Sequence, residues 1–182
     1  MALKFEELRV LRVAEGVADG LWERVMQWDA FARDTVGKQM ARAADSIGAN
    51  IAEAYGRFHY GEKLQFLYYA RSSLFETKYW LNRAKTRKLL QPADAAAYAE
   101  QLTDLARQLN SFASDLKSQR HGNKPQDKAT RESTVDDTIE PSLPLFTQED
   151  ISSLAATPIS NIQYQIPSKG ERKWTDNNSS KP

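Results

Sequence analysis

The chain has no cysteine and only two histidines, His59 and His121, in 182 residues. That excludes disulfide staples, a thiolate nucleophile and a cysteine-based zinc site, and leaves little for a histidine-based one, so neither metal nor cofactor is expected. No stretch reaches 18 consecutive apolar residues, which argues against a membrane-spanning helix or a membrane partner. The start MALKFEELRV lacks the layout of a signal peptide, and a cytoplasmic protein is expected. A glycine-rich phosphate loop is missing as well. Ser72 and Ser73 have no histidine at a useful spacing, and carboxylate pairs such as Asp45 with Glu53 come without a pocket signal, so the chain reads as non-enzymatic. Strong net charge is also lacking. The total is +1; residues 1–120 hold 18 basic and 15 acidic side chains, and residues 121–182 hold 7 and 9. Any argument for nucleic acid therefore rests on a local patch.

What the sequence has is helical periodicity, and no strand pattern interrupts it. Leu11, Ala14, Ala18, Leu21, Val25 and Trp28 step by three and four, which keeps one helix face apolar from about residue 4 to 30. Val36, Met40, Ala43, Ile47, Ile51 and Ala54 do the same over about 34–57. Leu67, Ala70, Leu74, Thr77, Leu81 and Ala84 repeat it over about 61–88. A fourth segment opens at Pro92, a good first-turn residue, and runs through Tyr98, Leu102, Leu105, Leu109, Phe112 and Leu116. Four such helices with short connections predict an all-α, antiparallel up-down-up-down four-helix bundle over residues 1–120. On the second helix Ala44, Gly48, Ala52 and Gly56 make a row of small residues, predicted to let a partner helix approach closely. Asn50 beside them reads as a core amide that fixes register.

After Arg120 the chain turns polar and charged, so residues 121–182 are predicted to be a mostly disordered tail with short apolar segments at 141–146 and 159–167.

Two stretches carry a family resemblance. Ser46, Ile47, Ala49, Asn50, Ile51, Ala52, Glu53 and Arg57 fit the pattern SI-x-ANIAEG-x-x-R. Phe66, Leu67, Ala70, Arg71, Ser73, Leu74 and Glu76 fit F-x-x-FL-x-x-ARGSL-x-E. In both the chain resembles the small four-helix-bundle proteins encoded in intervening sequences of bacterial large-subunit ribosomal RNA genes. Ala54 and Ser72 stand where that family has glycine, and both are small. The resemblance covers about residues 5–119. It implies a homopentameric ring and kinship with the accessory proteins of diversity-generating retroelements, which bind nucleic acid and a reverse transcriptase. It carries no catalytic residues.

Two surfaces follow from the residues themselves. Phe66, Tyr69, Tyr79 and Trp80 lie outside the apolar seam of the third helix with Tyr68 and Phe75, more aromatic area than one core covers, which predicts a subunit interface. Lys78, Arg83, Lys85, Arg87 and Lys88 stand in a run with no acidic residue between Thr77 and Ala93. Arg71, Lys78 and Lys85 recur every seven residues and drift only about 20° per step, making one stripe suited to RNA or DNA phosphates. In the tail, Ser142, Leu143, Pro144, Leu145 and Phe146 resemble the short peptides that dock on the bacterial sliding clamp. The expected function is a non-enzymatic oligomeric adaptor that binds nucleic acid through the basic face and recruits a partner protein, with a reverse transcriptase as the candidate. The rival is a structural protein-interaction scaffold without nucleic-acid affinity.

Overall fold

The computed structural model describes residue 5, residues 8–122 and residues 144–156, and all regular structure among them is helical. Helix α1 spans Arg9–Met26. A short α2, Ala30–Ala32, runs through a π-helical turn, Arg33–Gly37, into α3, Lys38–Gly56; α4 is Tyr60–Thr86, α5 is Pro92–Gly122 and α6 is Gln148–Ala155. The second segment thus starts earlier than its apolar period suggests, because Asp29 caps it by accepting a hydrogen bond from the Ala32 N–H at 3.0 Å.

The four long helices touch in a closed order: α1 packs on α3, α3 on α4, α4 on α5 and α5 back on α1. Their predicted faces meet in one core. Leu21, Met40, Ile47, Ile51, Leu67, Leu74, Leu81, Leu102, Leu105 and Leu109 are all fully enclosed. An ion pair at 3.3 Å from Arg24 to Asp94 also links α1 to α5.

The small-residue row behaves differently from its prediction. Ala44 is enclosed, but Gly48 and Ala52 line an open groove of about 470 Å³ between α1 and α3. A Cβ at Gly48 would meet only Leu11 Cδ1 at 3.8 Å and Ala14 Cβ at 4.0 Å, and Gly56 has nothing within 4 Å. Gly37 makes the tight contact instead, since a Cβ there would stand 2.6 Å from Val25 Cγ1. Gly20 lies against the Tyr98 ring, its Cβ position 3.0 Å from the hydroxyl oxygen. Asn50 is half-buried; its amide nitrogen donates to the Ser46 carbonyl at 2.7 Å and lies 3.5 Å from Ser73 Oγ on α4.

The region expected to be a mostly disordered tail after residue 120 contains an ordered part. Helix α5 continues to Gly122, and residues 144–156 fold back to pack α6 against α5. The apolar segment at 159–167 lies outside the described residues.

Candidate nucleic-acid interface

The C-terminal end of α4 gathers Arg83, Lys85, Arg87 and Lys88, all partly or fully exposed. No ion pair joins any of them to another described residue. The helix stops there by a left-handed cap. Lys88 has φ of 60°, its N–H reaches the Lys85 carbonyl at 3.0 Å, and the Leu89 N–H reaches Ala84 at 2.9 Å. Leu89 and Leu90 then turn back onto the core, and Pro92 opens α5. A lysine, where glycine is the usual choice, holds the left-handed position, so the turn itself projects a cation.

Upstream, the same stripe is occupied. Arg71 Nη2 donates to both oxygens of Asp150 at 3.0 Å, and its guanidinium lies 4.9 Å from the Phe75 ring centre and 5.5 Å from that of Phe146. Arg71 Nε is buried without a hydrogen-bond partner. Lys78 is only 7% exposed and donates from Nζ to the Ala156 carbonyl at 3.1 Å. Burial, and then the neighbouring Lys85 charge, lower the Lys78 ammonium from its usual range. Burial alone would raise the Asp150 carboxyl. Hydrogen bonds from the Thr147 N–H, Arg71 and the Thr147 hydroxyl outweigh it and hold the group below its usual range.

The covering segment is built in detail. Asn110 on α5 clamps the Phe146 backbone from both sides: its amide nitrogen donates to the Phe146 carbonyl and its oxygen accepts the Phe146 N–H, each at 2.7 Å. The Phe146 ring is enclosed, 5.9 Å from that of Phe75, and Leu145, Ile151 and Leu154 are buried beside it. Thr147 and Asp150 form a reciprocal capping box that starts α6. Leu145 and Phe146 are therefore core residues of this chain, not a free clamp-binding peptide; Leu143 lies outside the described residues and Pro144 is exposed. Sequence reading missed Asn110, Thr147 and Asp150. The Thr-x-x-Asp spacing at 147–150 followed by Ile151 and Leu154 was a legible helix start; nothing local marked Asn110.

The expected interface aromatics divide. Phe66 and Trp80 are partly buried against the core, as are Tyr68 and Phe75. Tyr69 and Tyr79 remain 48% and 55% exposed, each in an edge-to-face pair, with Phe66 and Trp80 respectively. Phe31 and Phe58, on no expected surface, are 78% and 89% exposed. In the α1–α3 groove, burial and then the neighbouring Asp19 charge raise the Asp45 carboxyl above its usual range. No described helix is long and apolar enough to cross a membrane.

No curated protein matches this chain. The family described as 23S rRNA-intervening sequence protein matches residues 6–111, more than half of the chain, including all of α1, α3 and α4 and the first part of α5. The chain belongs to the 23S rRNA-intervening sequence protein family.

Proposed function

We propose that the protein is a non-enzymatic, cofactor-free oligomeric adaptor that binds RNA or DNA through the basic end of α4 and recruits a partner protein, with a reverse transcriptase as the candidate. In this reading the four long helices are an antiparallel up-down-up-down bundle. Copies of it assemble as a homopentameric ring in the cytoplasm. The observation that carries the reading is the cluster of Arg83, Lys85, Arg87 and Lys88, four cations within six residues that no described carboxylate neutralises. Repeated around a ring, four charges per copy become a continuous positive band, and such a band gains affinity by releasing counterions from phosphate.

The test is a titration of single-stranded RNA and duplex DNA against the full chain and against Lys85→Gln/Arg87→Gln/Lys88→Gln at low and moderate salt. Glutamine keeps helix propensity near that of lysine. The triple variant is expected to keep its helicity and oligomeric state, lose most of its affinity and show a shallower salt slope, by roughly 0.7 to 0.9 per phosphate contact removed. Equal affinity and slope would refute the assignment.

The exposed Phe31, Phe58, Tyr69 and Tyr79 favour a second reading, a protein-interaction scaffold without nucleic-acid affinity. That reading predicts no binding by the unmodified chain at low salt.

A further inference from the structure

Among the described residues, the stripe that recurs as Arg71, Lys78 and Lys85 is unpaired only at its lower end. Residues 144–156 lie across the rest: Asp150 holds Arg71, the Ala156 carbonyl holds Lys78, and Phe146 closes over Phe75 between them. The Arg71–Asp150 and Lys78–Ala156 contacts each use a group that phosphate would also use, a carboxylate on a guanidinium and a carbonyl on an ammonium. Asp150 engages Arg71 through Nη2 alone and leaves Nε buried and unpaired, whereas a phosphate presents enough oxygens to take both. The segment is also held from the α5 side, by the Asn110 clamp on Phe146 and by the packing of α6 on α5.

We infer that residues 144–156 form an intramolecular latch over the basic face of α4, and that nucleic acid must displace it to reach Arg71 and Lys78. This rests on the proposed nucleic-acid interface and adds its regulation. With the latch closed, only the cluster at the end of α4 is presented. With it open, two further cations of the same helix join that cluster on each copy.

The experiment compares the full chain with Phe146→Ser/Leu154→Ser, a charge-neutral change that removes two enclosed side chains from the latch and none from the helices beneath. Hydrogen exchange over residues 144–156 reads latch opening; helicity and oligomeric state check the rest of the fold. Titration with a labelled single-stranded RNA at two salt concentrations reads binding. The expected result is rapid exchange confined to the latch, roughly tenfold tighter binding and a salt slope steeper by about 1.4, as for two added phosphate contacts. A free peptide of residues 141–157 should reverse the gain, and a scrambled peptide should not. Asn110→Ala, which opens the latch by removing both hydrogen bonds to Phe146, should reproduce the result, and it replaces the double variant if that one unfolds. An open latch with unchanged affinity overturns the inference and leaves the nucleic-acid reading standing. Absence of binding by every form at low salt overturns both. Rapid exchange of residues 144–156 in the unmodified chain overturns the latch alone.

Discussion

Alanine at Gly48 and alanine at Gly37 should shift stability in opposite directions. At Gly48 the new methyl meets Leu11 Cδ1 at 3.8 Å and Ala14 Cβ at 4.0 Å, ordinary van der Waals distances on the wall of the α1–α3 groove. Nothing has to move, and replacing a glycine inside a helix gains about 1 kcal/mol of propensity. Gly48→Ala is therefore expected to stabilise by about 1 kcal/mol. At Gly37 the methyl would stand 2.6 Å from Val25 Cγ1 and 3.4 Å from Trp28 Cε3. Val25 is buried, and a helical valine has one strongly preferred rotamer, so the clash has no easy relief. Overpacking of this kind costs about 1 to 3 kcal/mol, which exceeds the propensity gain at most of that range. Gly37→Ala is expected to destabilise by up to about 2 kcal/mol. The assay is thermal and urea unfolding followed by the helical circular dichroism signal at one fixed protein concentration, because the proposed assembly would add a concentration-dependent term. For a folded body of this size 1 kcal/mol moves Tm by about 4 °C. Loss of stability in Gly48→Ala would show that another surface presses on the groove. Two shifts of the same sign would refute the packing argument.

Lys88→Gly should raise Tm while loosening RNA. The left-handed conformation at φ 60° costs a side-chain-bearing residue about 1 to 2 kcal/mol, part of which glycine returns as unfolded-chain entropy, leaving a gain of about 0.5 to 1 kcal/mol. A lower Tm would mean that the lysine side chain stabilises the turn. Latch docking should weaken in acid: the folded Asp150 carboxyl binds its proton less tightly than the unfolded one. Its contribution is therefore present above 3.8 and lost as pH falls through the depressed folded value. Hydrogen exchange of residues 144–156 against pH checks this, and Asp150→Asn should weaken docking near neutral pH and remove the acid step; an unchanged acid step in that variant would assign it to another carboxyl.

The apolar periodicity of α1, α3, α4 and α5 was legible because each helix must bury one stripe, and a stripe recurs in sequence at the same three-and-four spacing wherever it packs. Met40, Ile47, Leu67 and Leu105 illustrate it, all enclosed where that spacing places them. Small size is a weaker signal. Glycine inside a helix permits close approach without requiring it, so the row through Gly48 and Gly56 pointed to the wrong contact. Gly37, outside that row, sits at the true one, at the end of the π-helical turn. The latch was half legible. Leu145 and Phe146 stood out as apolar residues in a polar tail, and apolar residues without a local partner require a distant one. That the partner is this chain depends on Asn110, 36 positions away, whose paired hydrogen bonds leave no periodic trace. Charge was the least legible, since whether Arg71 and Lys78 are free is decided by Asp150 and Ala156, far along the chain.

The stripe thus divides into a constant part and a conditional one, and the division has a geometric reason. Residues seven apart on a helix are separated by about 10.5 Å along its axis and rotated by only about 20°. Arg71, Lys78 and Lys85 consequently face nearly the same way over about 21 Å, a span that several consecutive phosphates of a strand can follow. A surface of that length cannot be masked by one ion pair. It can be masked by a segment that is itself extended along the helix, anchored at one end by Phe146 and Asp150 and at the other by the Ala156 carbonyl. The latch meets Lys78 through Ala156, and no ion pair joins Lys85 or the three cations near it to another described residue. A ligand would first be held by that open cluster, and each further phosphate laid along α4 would then compete with the segment at Lys78 before Arg71. The order is testable, because neutralising Lys85, Arg87 and Lys88 should abolish opening by RNA as well as binding. If hydrogen exchange of residues 144–156 still accelerated on adding RNA to that triple variant, opening would not begin at the end of α4.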